Sequence, residues 1–168
     1  MHNTVLSERM FKILSAHVTY IEREKESIIK SFYADSAEAG MDIEAFFKEY
    51  AAAIDSYLKS VKVRNDGVDN CPLTIIGSTV EVRDTSDMDI YSYHIVLPYA
   101  KKANRDMSHA SCLSPMGRAL LLKTVGSKVS IQTPTDLLNY EVMSIVLPDY
   151  DIENDSVHLY QGQANIAL

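Results

Sequence analysis

The sequence predicts an α+β protein in which an N-terminal antiparallel coiled-coil helical hairpin is followed by an α+β C-terminal domain. Apolar residues in the first third recur in alternating steps of four and three, which is typical of helices that pack along one stripe. Further on, short runs alternate every second residue, as half-buried strands do. The balance of charge also differs between the two parts of the chain. Residues 1–65 contain nine Lys+Arg and ten Asp+Glu, whereas residues 66–168 contain seven Lys+Arg and thirteen Asp+Glu. We predict a hairpin over 1–65, a domain over 66–148 and an acidic appendage over 149–168.

The predicted hairpin rests on two runs with the same period. The first occupies residues 7–33 and is interrupted only at Lys25; its apolar positions are Phe11, Leu14, Val18, Ile21, Ile28 and Phe32. The second comprises Ile43, Phe47, Tyr50, Ile54, Tyr57 and Val61. Residues 34–42 between them carry no sustained stripe and one glycine, which predicts a turn between helices of similar length. At about 27 residues per helix and about 1.5 Å per residue, the arm would extend roughly 40 Å.

The C-terminal domain begins after a polar connector, residues 64–70. Strands are predicted at Leu73–Ile76, Thr79–Arg83, Tyr91–Leu97, Lys128–Gln132 and Leu138–Leu147. One short helix lies before the fourth strand, because Ser114 can cap it, Pro115 suits its first position and Gly126 ends the segment. The acidic run after Pro148 is expected to be a solvated appendage.

Composition excludes several classes of protein. The N-terminus lacks a signal-peptide pattern and there is no run of 18 apolar residues, so we expect a cytoplasmic protein that does not enter a membrane. Cys71 and Cys112 are too few and too far apart for a metal knuckle, and we expect buried thiols. The five histidines are scattered without ligand spacing, so no zinc site is predicted. A net charge of −7 argues against a broad nucleic-acid-binding face.

One block resembles a known family. The stretch Leu113-Ser114-Pro115-Met116-Gly117-Arg118-Ala119-Leu120-Leu121-Leu122-Lys123-Thr124-Val125-Gly126 is similar to the C-terminal domain of the GreA/GreB transcript-cleavage factors. It comes with Ile76-Gly77-Ser78-Thr79-Val80 upstream and Gln132-Thr133-Pro134 downstream, in the family's order. The hairpin also precedes it, as in that family. The resemblance, over roughly 6–147, implies an FKBP-like domain that docks on bacterial RNA polymerase while the coiled coil enters its secondary channel.

The resemblance implies chemistry at the tip of the arm. The family's Asp-x-x-Glu-Asn motif corresponds to Asp35-Ser36-Ala37-Glu38-Ala39, with both acids kept and the Asn replaced. Residues three apart share a helical face, and hard oxygen ligands suit Mg²⁺. Asp35 and Glu38 would then be catalytic and metal-binding residues that help hold a Mg²⁺ shared with the polymerase active site. Alternatively, Asp35 and Glu38 are ordinary exposed acids without a function. Asp42 could then be a helix cap, or Asp42 and Glu44 could form a competing acidic pair.

Two further sets of residues follow from the resemblance. Arg23, Lys25 and Lys30 would contact the backtracked RNA 3′ end, since phosphate contacts are electrostatic. Interleaved glutamates make a solvated face with intrahelical ion pairs an equal alternative. The polymerase-docking residues would be Ser114, Pro115, Met116 and Arg118, while Ala119, Leu120 and Leu122 are expected in the core. Leu113 stands where family members often carry a polar residue.

Three functions therefore remain open at this point. The leading one is a monomeric factor, not itself an enzyme, that stimulates the polymerase to cleave backtracked RNA. The second is a similar channel binder that regulates or inhibits without cleavage, and the third is a scaffold whose coiled coil binds another protein. An FKBP-like fold also suggests prolyl isomerase activity, but fold does not imply function. The sequence shows no aromatic cluster to line a proline pocket, so isomerase activity is not expected.

Overall fold

The computed structural model describes residues 4–35, 43–98 and 108–147, with residues 31–35 described by their backbone. The described residues fall into two compact units that divide between Asp69 and Asn70. This division lies four residues beyond the boundary that the sequence predicts. The reason is that residues 66–69, predicted to be part of the second domain, pair with the first residues of the chain, as described below.

The first unit is built on two helices, α1 (Glu8–Asp35) and α2 (Ile43–Ser60). Ser7 begins α1, since its hydroxyl accepts a hydrogen bond of 3.0 Å from the amide of Met10. The helices are antiparallel: His17 of α1 meets Tyr50 of α2, and residues just before α1 pair with residues just after α2. The α+β fold class and its N-terminal helical arm are thus confirmed.

The buried stripe of the arm is broader than the predicted heptad stripe. Phe11 is only half-buried, whereas Met10 and Ile13 are buried. The buried side chains are Met10, Ile13, Leu14, His17, Val18, Ile21 and Ile28 of α1 and Ile43, Phe47, Tyr50, Ala51, Ile54 and Leu58 of α2. Among the described residues α1 has 28 residues and α2 has 18, and residues 36–42 between them lie outside the described part of the chain.

Residues 5–7 and 62–69 form what we call the base clasp. Two short strands, β1 (Val5–Leu6) and β2 (Lys62–Val63), pair in parallel. The chain then turns back, and the amide of Val68 donates to the carbonyl of Val5 over 2.7 Å. The Ser7 hydroxyl donates to an Asp69 carboxylate oxygen over 2.6 Å. The clasp holds together the two ends of the arm that lie farthest from its turn.

Gly67 is required in the base clasp by the close approach of two backbone segments. A Cβ placed on Gly67 would lie 2.1 Å from the carbonyl oxygen of Leu6 and 2.6 Å from the amide nitrogen of Ser7. Backbone atoms cannot rotate away as a flexible side chain does. Because glycine has no side chain, Gly67 allows the turn of the base clasp to pack against β1.

The second unit is a five-stranded sheet with one short helix. Its strands are β3 (Thr79–Asp84), β4 (Ile90–Val96), β5 (Ser108–Ser111), β6 (Lys128–Gln132) and β7 (Leu137–Val146), in the spatial order β5-β4-β3-β7-β6. All neighbours are antiparallel except β4 and β5, which run parallel. The helix α3 (Pro115–Leu120) lies between β5 and β6 in the chain and packs against both.

One face of this sheet forms the core. The predicted alternation is confirmed in β3 and β6, where Val80, Val82, Val129 and Ile131 are buried. In β7 the buried residues Val142 and Ile145 are three apart, which a regular strand cannot place on one face. A bulge opposite Glu81 and Val82 shifts the register there, and the extra residue returns Ile145 to the core.

Two elements of the second unit differ from prediction. Leu73–Ile76 is not a strand but a buried irregular segment, whose Thr74 backbone bonds to Leu122 and Lys123 at 2.7 and 2.9 Å. The same hydrogen bonds explain why α3 ends at Leu120 and not near Gly126. The amide of Leu122 donates to the carbonyl of Thr74, and the backbone of Leu122 has a positive φ of 67°, which is not helical. Leu122, expected in the core, is half-buried, and Leu121 is buried in its place.

No helix within residues 4–35, 43–98 and 108–147 has both the length and the apolar character needed to span a membrane.

Candidate functional site

The predicted docking residues lie where β5 leads into α3: Ser114 is in the turn, and Pro115, Met116 and Arg118 are in the helix. Ser114 caps α3, as predicted: its hydroxyl accepts the amide hydrogen of Gly117 at 3.0 Å and donates to the carbonyl of Ser111 at 2.7 Å. Pro115 occupies the first turn of the helix, where a missing N–H costs nothing. Both bonds of Ser114 fix the direction in which the helix leaves the sheet.

The structure separates exposed from buried residues within this turn. Pro115 and Arg118 are exposed, and Ser114 and Met116 are half-buried, so all four are accessible to a partner to some extent. Leu113 is 9% exposed and Leu120 fully buried, so both belong to the core. The leucine at 113 is therefore explained by packing.

The tip of the arm is described only in part. α1 continues to Asp35, which is its last residue, so the backbone reaches the first acid of the predicted pair. Glu38, Ala39 and Asp42 lie outside the described residues, as does the acidic appendage from residue 149. The catalytic and metal-binding assignment of Asp35 and Glu38 stays a prediction.

The predicted RNA-contacting residues do not form one face of α1. Arg23 and Lys30 are seven positions apart and exposed on the same side, whereas Lys25 lies roughly 200° around the helix from Arg23. Arg23 forms an ion pair of 3.2 Å with Glu24 and lies 5.9 Å above the ring of Tyr20. The alternative of local ion pairing on a solvated face thus has a direct example at Arg23.

Three tyrosines come together on the core face of the sheet, which the sequence analysis missed. The Tyr91 and Tyr93 rings of β4 lie 6.1 and 6.3 Å from that of Tyr140 on β7, and the Tyr93 and Tyr140 hydroxyls are 3.4 Å apart. Burial, followed by the hydrogen bond with Tyr93, raises the pKa of Tyr140. The sequence analysis did not find this group, because strand pairing joins residues that are far apart in the sequence.

The cysteines behave as predicted. Cys71 and Cys112 are buried free thiols, and burial raises the pKa of Cys71 to about 11 and that of Cys112 to about 12. Such thiols are unreactive near neutral pH. Among the described residues no group of three or more His, Cys, Asp or Glu could hold a metal. His94 and His109 are separated in the sequence, but their ring centroids lie 5.5 Å apart on neighbouring strands.

Comparison with known proteins gives a consistent result. Residues 74–146 match the family described as "Transcription elongation factor, GreA/GreB, C-term". Transcription elongation factor GreA of Syntrophobacter fumaroxidans is 41% identical over 71 residues, 42% of this chain and 44% of that protein. GreA of Solidesulfovibrio magneticus is 26% identical over 155 residues, 86% of this chain and 93% of that protein. A solved GreA/GreB factor from Nitrosomonas europaea shares 16% identity over 85% of this chain and 97% of its own, with a TM-score of 0.45.

The match with the first of these relatives covers less than half of that protein, whereas the second match covers most of both chains. The domain that contains the predicted docking residues is the one that the family description covers. Residues 74–146 are thus similar to the C-terminal domain of the GreA/GreB family, and most of the chain is similar to a GreA protein. Members of this family are transcription elongation factors.

Proposed function

We propose that the chain acts on bacterial RNA polymerase as a secondary-channel factor that stimulates cleavage of backtracked RNA and so rescues stalled elongation complexes. The observation that carries the proposal is the unbroken course of α1. Its 28 residues run from the base clasp to Asp35, a length of about 42 Å. An arm of this length is long enough to carry an acid deep into a channel, and a family elongation-factor domain follows it in the chain.

The two units have separate tasks in this proposal. The turn around Ser114, Pro115, Met116 and Arg118 binds the polymerase, and its exposed Pro115 and Arg118 are the side chains that a partner meets first. The arm supplies the tip. Its helices bury their apolar side chains against each other, so the arm keeps its shape without help from a partner.

The role assigned to the tip is to bind Mg²⁺ through carboxylate groups. Asp35 and Glu38 offer hard oxygen ligands, which match the preference of Mg²⁺. A second Mg²⁺ shared with the polymerase would supply charge stabilisation and water activation for phosphodiester hydrolysis. The factor completes an active site that belongs to the polymerase, and it is therefore not an enzyme by itself.

A second candidate has an observation in its favour. Ala39 stands where the family motif has an asparagine, and Gly40 follows it, so the polar surroundings of the two acids are reduced. A factor with an altered tip can occupy the channel and regulate or inhibit the polymerase without cleavage. Both candidates share the same docking, and they differ only in what happens to the RNA.

A cleavage assay on stalled, backtracked elongation complexes separates the two candidates. The proposed function predicts shortened RNA and resumed elongation upon addition of the protein and Mg²⁺. Slower elongation without shortened RNA at any Mg²⁺ concentration would establish the second candidate instead. Failure to co-elute with core polymerase at micromolar concentration and low salt would reject both and leave the arm as a scaffold for another protein.

A further inference from the structure

The acidic appendage, residues 149–168, has no part in the proposed function, and its sequence begins with a regular pattern. Its first seven residues are Asp149-Tyr150-Asp151-Ile152-Glu153-Asn154-Asp155, with an acid at every second position. Successive side chains of an extended chain point to opposite sides. In that conformation the segment would present four carboxylates on one side and Tyr150 and Ile152 on the other. Residues 149–168 contain no Lys or Arg that could pair with these acids.

The topology of the sheet brings the start of this segment close to the predicted docking residues. β7 ends at Val146, and successive register partners on β3 and β4 connect this residue to His109 of β5. Three strand spacings of about 4.8 Å place β7 roughly 14 Å from β5. Both strands end at the same end of the sheet, where β5 leads to the Ser114 turn. The nine residues 147–155 can span about 30 Å when extended, so they can reach that turn and α3.

The surface within reach is positively charged, in contrast to the rest of the chain. Residues 108–128 contain three Lys+Arg and no Asp or Glu, although the whole chain has a net charge of −7. Arg118 and Lys123 are exposed, and neither forms an ion pair with another described residue. Pro115, three positions before Arg118 on the same side of α3, is an exposed apolar group. Cations beside an apolar group complement the alternating acids and apolar side chains of residues 149–155.

We propose that residues 149–155 bind to Arg118 and Pro115 of the same chain and so compete with the polymerase for this surface. The inference rests on the proposed function, which assigns these two residues to polymerase docking. Single exposed ion pairs are weak, but a tethered segment binds at an effective concentration in the millimolar range, so a few of them suffice. The bound segment lowers the fraction of chains that can dock, and the apparent Kd for polymerase rises in inverse proportion to that fraction.

Two full-length variants with equal changes of charge test the proposal. The neutral-tail variant removes the four acids of the segment: Asp149→Asn, Asp151→Asn, Glu153→Gln and Asp155→Asn. The matched control removes three aspartates and one glutamate that are exposed elsewhere in the same domain: Asp87→Asn, Asp89→Asn, Asp136→Asn and Glu81→Gln. Because both variants change the net charge by the same amount, a difference between them reports the position of the acids and not the total charge.

The intramolecular contact is measured by NMR without polymerase. The side-chain Nε–H signal of Arg118 and the amide signals of α3 should shift in the neutral-tail variant and keep their positions in the control. Raising NaCl to about 0.5 M should produce the same shifts in the original chain, because salt screens exposed charges. The shifts should not depend on protein concentration. Unchanged signals at Arg118 would show a merely solvated appendage, and a dependence on concentration would show contact between chains; either result overturns the proposal.

Competition is measured by titration of each labelled chain with core polymerase at low salt. The neutral-tail variant should bind about fivefold more tightly than the original chain, and the control should bind within twofold of it. Equal affinities of the two variants overturn the proposal, because the segment would then not compete. If none of the three chains binds polymerase, the proposed function fails and competition fails with it. NMR shifts at Arg118 would in that case still establish the contact within the chain, so the two failures are distinguishable.

Discussion

The Nε2 atom of His17 lies 2.7 Å from the hydroxyl oxygen of Tyr50, across the interface of α1 and α2. The rings are edge to face with centroids 5.7 Å apart, and both side chains are buried among apolar neighbours. A buried polar pair is satisfied in one alignment of two helices and broken by a shift of either one. His17 and Tyr50 thus set the register of the arm.

The stability of the arm should fall on acidification because of His17. Burial lowers the pKa of His17 from 6.5 to about 3, so the folded arm holds the neutral ring. The unfolded chain binds a proton at His17 more readily than the folded arm does. The free energy of unfolding therefore has its full value above pH 6.5 and decreases as pH falls toward 3. The loss is about 1.4 kcal/mol for each pH unit below 6.5. Thermal unfolding between pH 7.5 and 4.5 measures it.

Substitutions at the two positions distinguish this effect from general acid sensitivity. His17→Leu should remove most of the pH dependence between 6.5 and 4.5. Tyr50→Phe keeps the buried ring of His17 and should retain that dependence, while it costs about 1 kcal/mol for the lost hydrogen bond. Equal pH profiles for His17→Leu and the original chain would show that other groups control acid unfolding.

Gly67→Ala should destabilise the arm by roughly 1–3 kcal/mol. The added methyl group meets the Leu6 carbonyl at 2.1 Å, and either β1 or the turn must move. Asp66→Ala is the control: its carboxylate is exposed and its ion pair with Arg64, 3.0 Å long, is worth less than about 1 kcal/mol. Chemical denaturation followed by circular dichroism compares the two, and equal stabilities would contradict the packing at Gly67.

Asp35→Asn and Glu38→Gln should each reduce RNA cleavage about a hundredfold, while polymerase affinity stays nearly unchanged. Both keep size and hydrogen-bonding capacity but remove the charge that a metal ion needs, a loss of about 3 kcal/mol. The variants should also require more Mg²⁺ for a given rate. Asp42→Asn should have little effect, because asparagine caps a helix about as well as aspartate. An inactive Asp42→Asn beside an active Asp35→Asn would place the chemistry at other residues.

Arg118→Ala should weaken polymerase binding about tenfold or more without loss of stability. Arg118 is exposed on α3, and exposed arginines are frequent anchors of protein interfaces. Lys123→Ala removes an exposed cation just beyond the same helix and should change affinity much less. Titration of fluorescently labelled protein with core polymerase gives both affinities, and thermal unfolding should agree within about 0.5 kcal/mol. Equal affinities of the two variants would remove Arg118 from the docking surface.

Local patterns in the sequence predicted local structure well. The cap at Ser114 and the alternation of Val80 and Val82 depend on neighbours within a few residues, and the structure has both. The predicted stripe of α1 depends on neighbours in the same way, and most of it is buried. The buried segment 73–76 was mistaken for a strand because an apolar run only indicates burial. Its backbone partners, near Leu122, are distant in sequence and leave no local pattern.

Pairings between distant segments account for what the sequence analysis missed. β5, with the sequence Ser-His-Ala-Ser, has no strand composition, and β4 makes it a strand by pairing. The same pairing brings His94 to His109, and β3 joins β4 to β7, so that Tyr93 reaches Tyr140. The turn and helix at Ser114 were predicted correctly because their residues are contiguous, and the docking role of these residues stays a prediction.

The base clasp also has a consequence for the order of folding. Ser7 and Asp69, which it joins, are 62 residues apart, whereas each helix turn forms from residues four apart. Closing so long a loop is slow unless nearer contacts have already shortened it. The helices should therefore associate first and the clasp close last. Defects in the clasp would accelerate unfolding of the arm and leave its rate of folding almost unchanged.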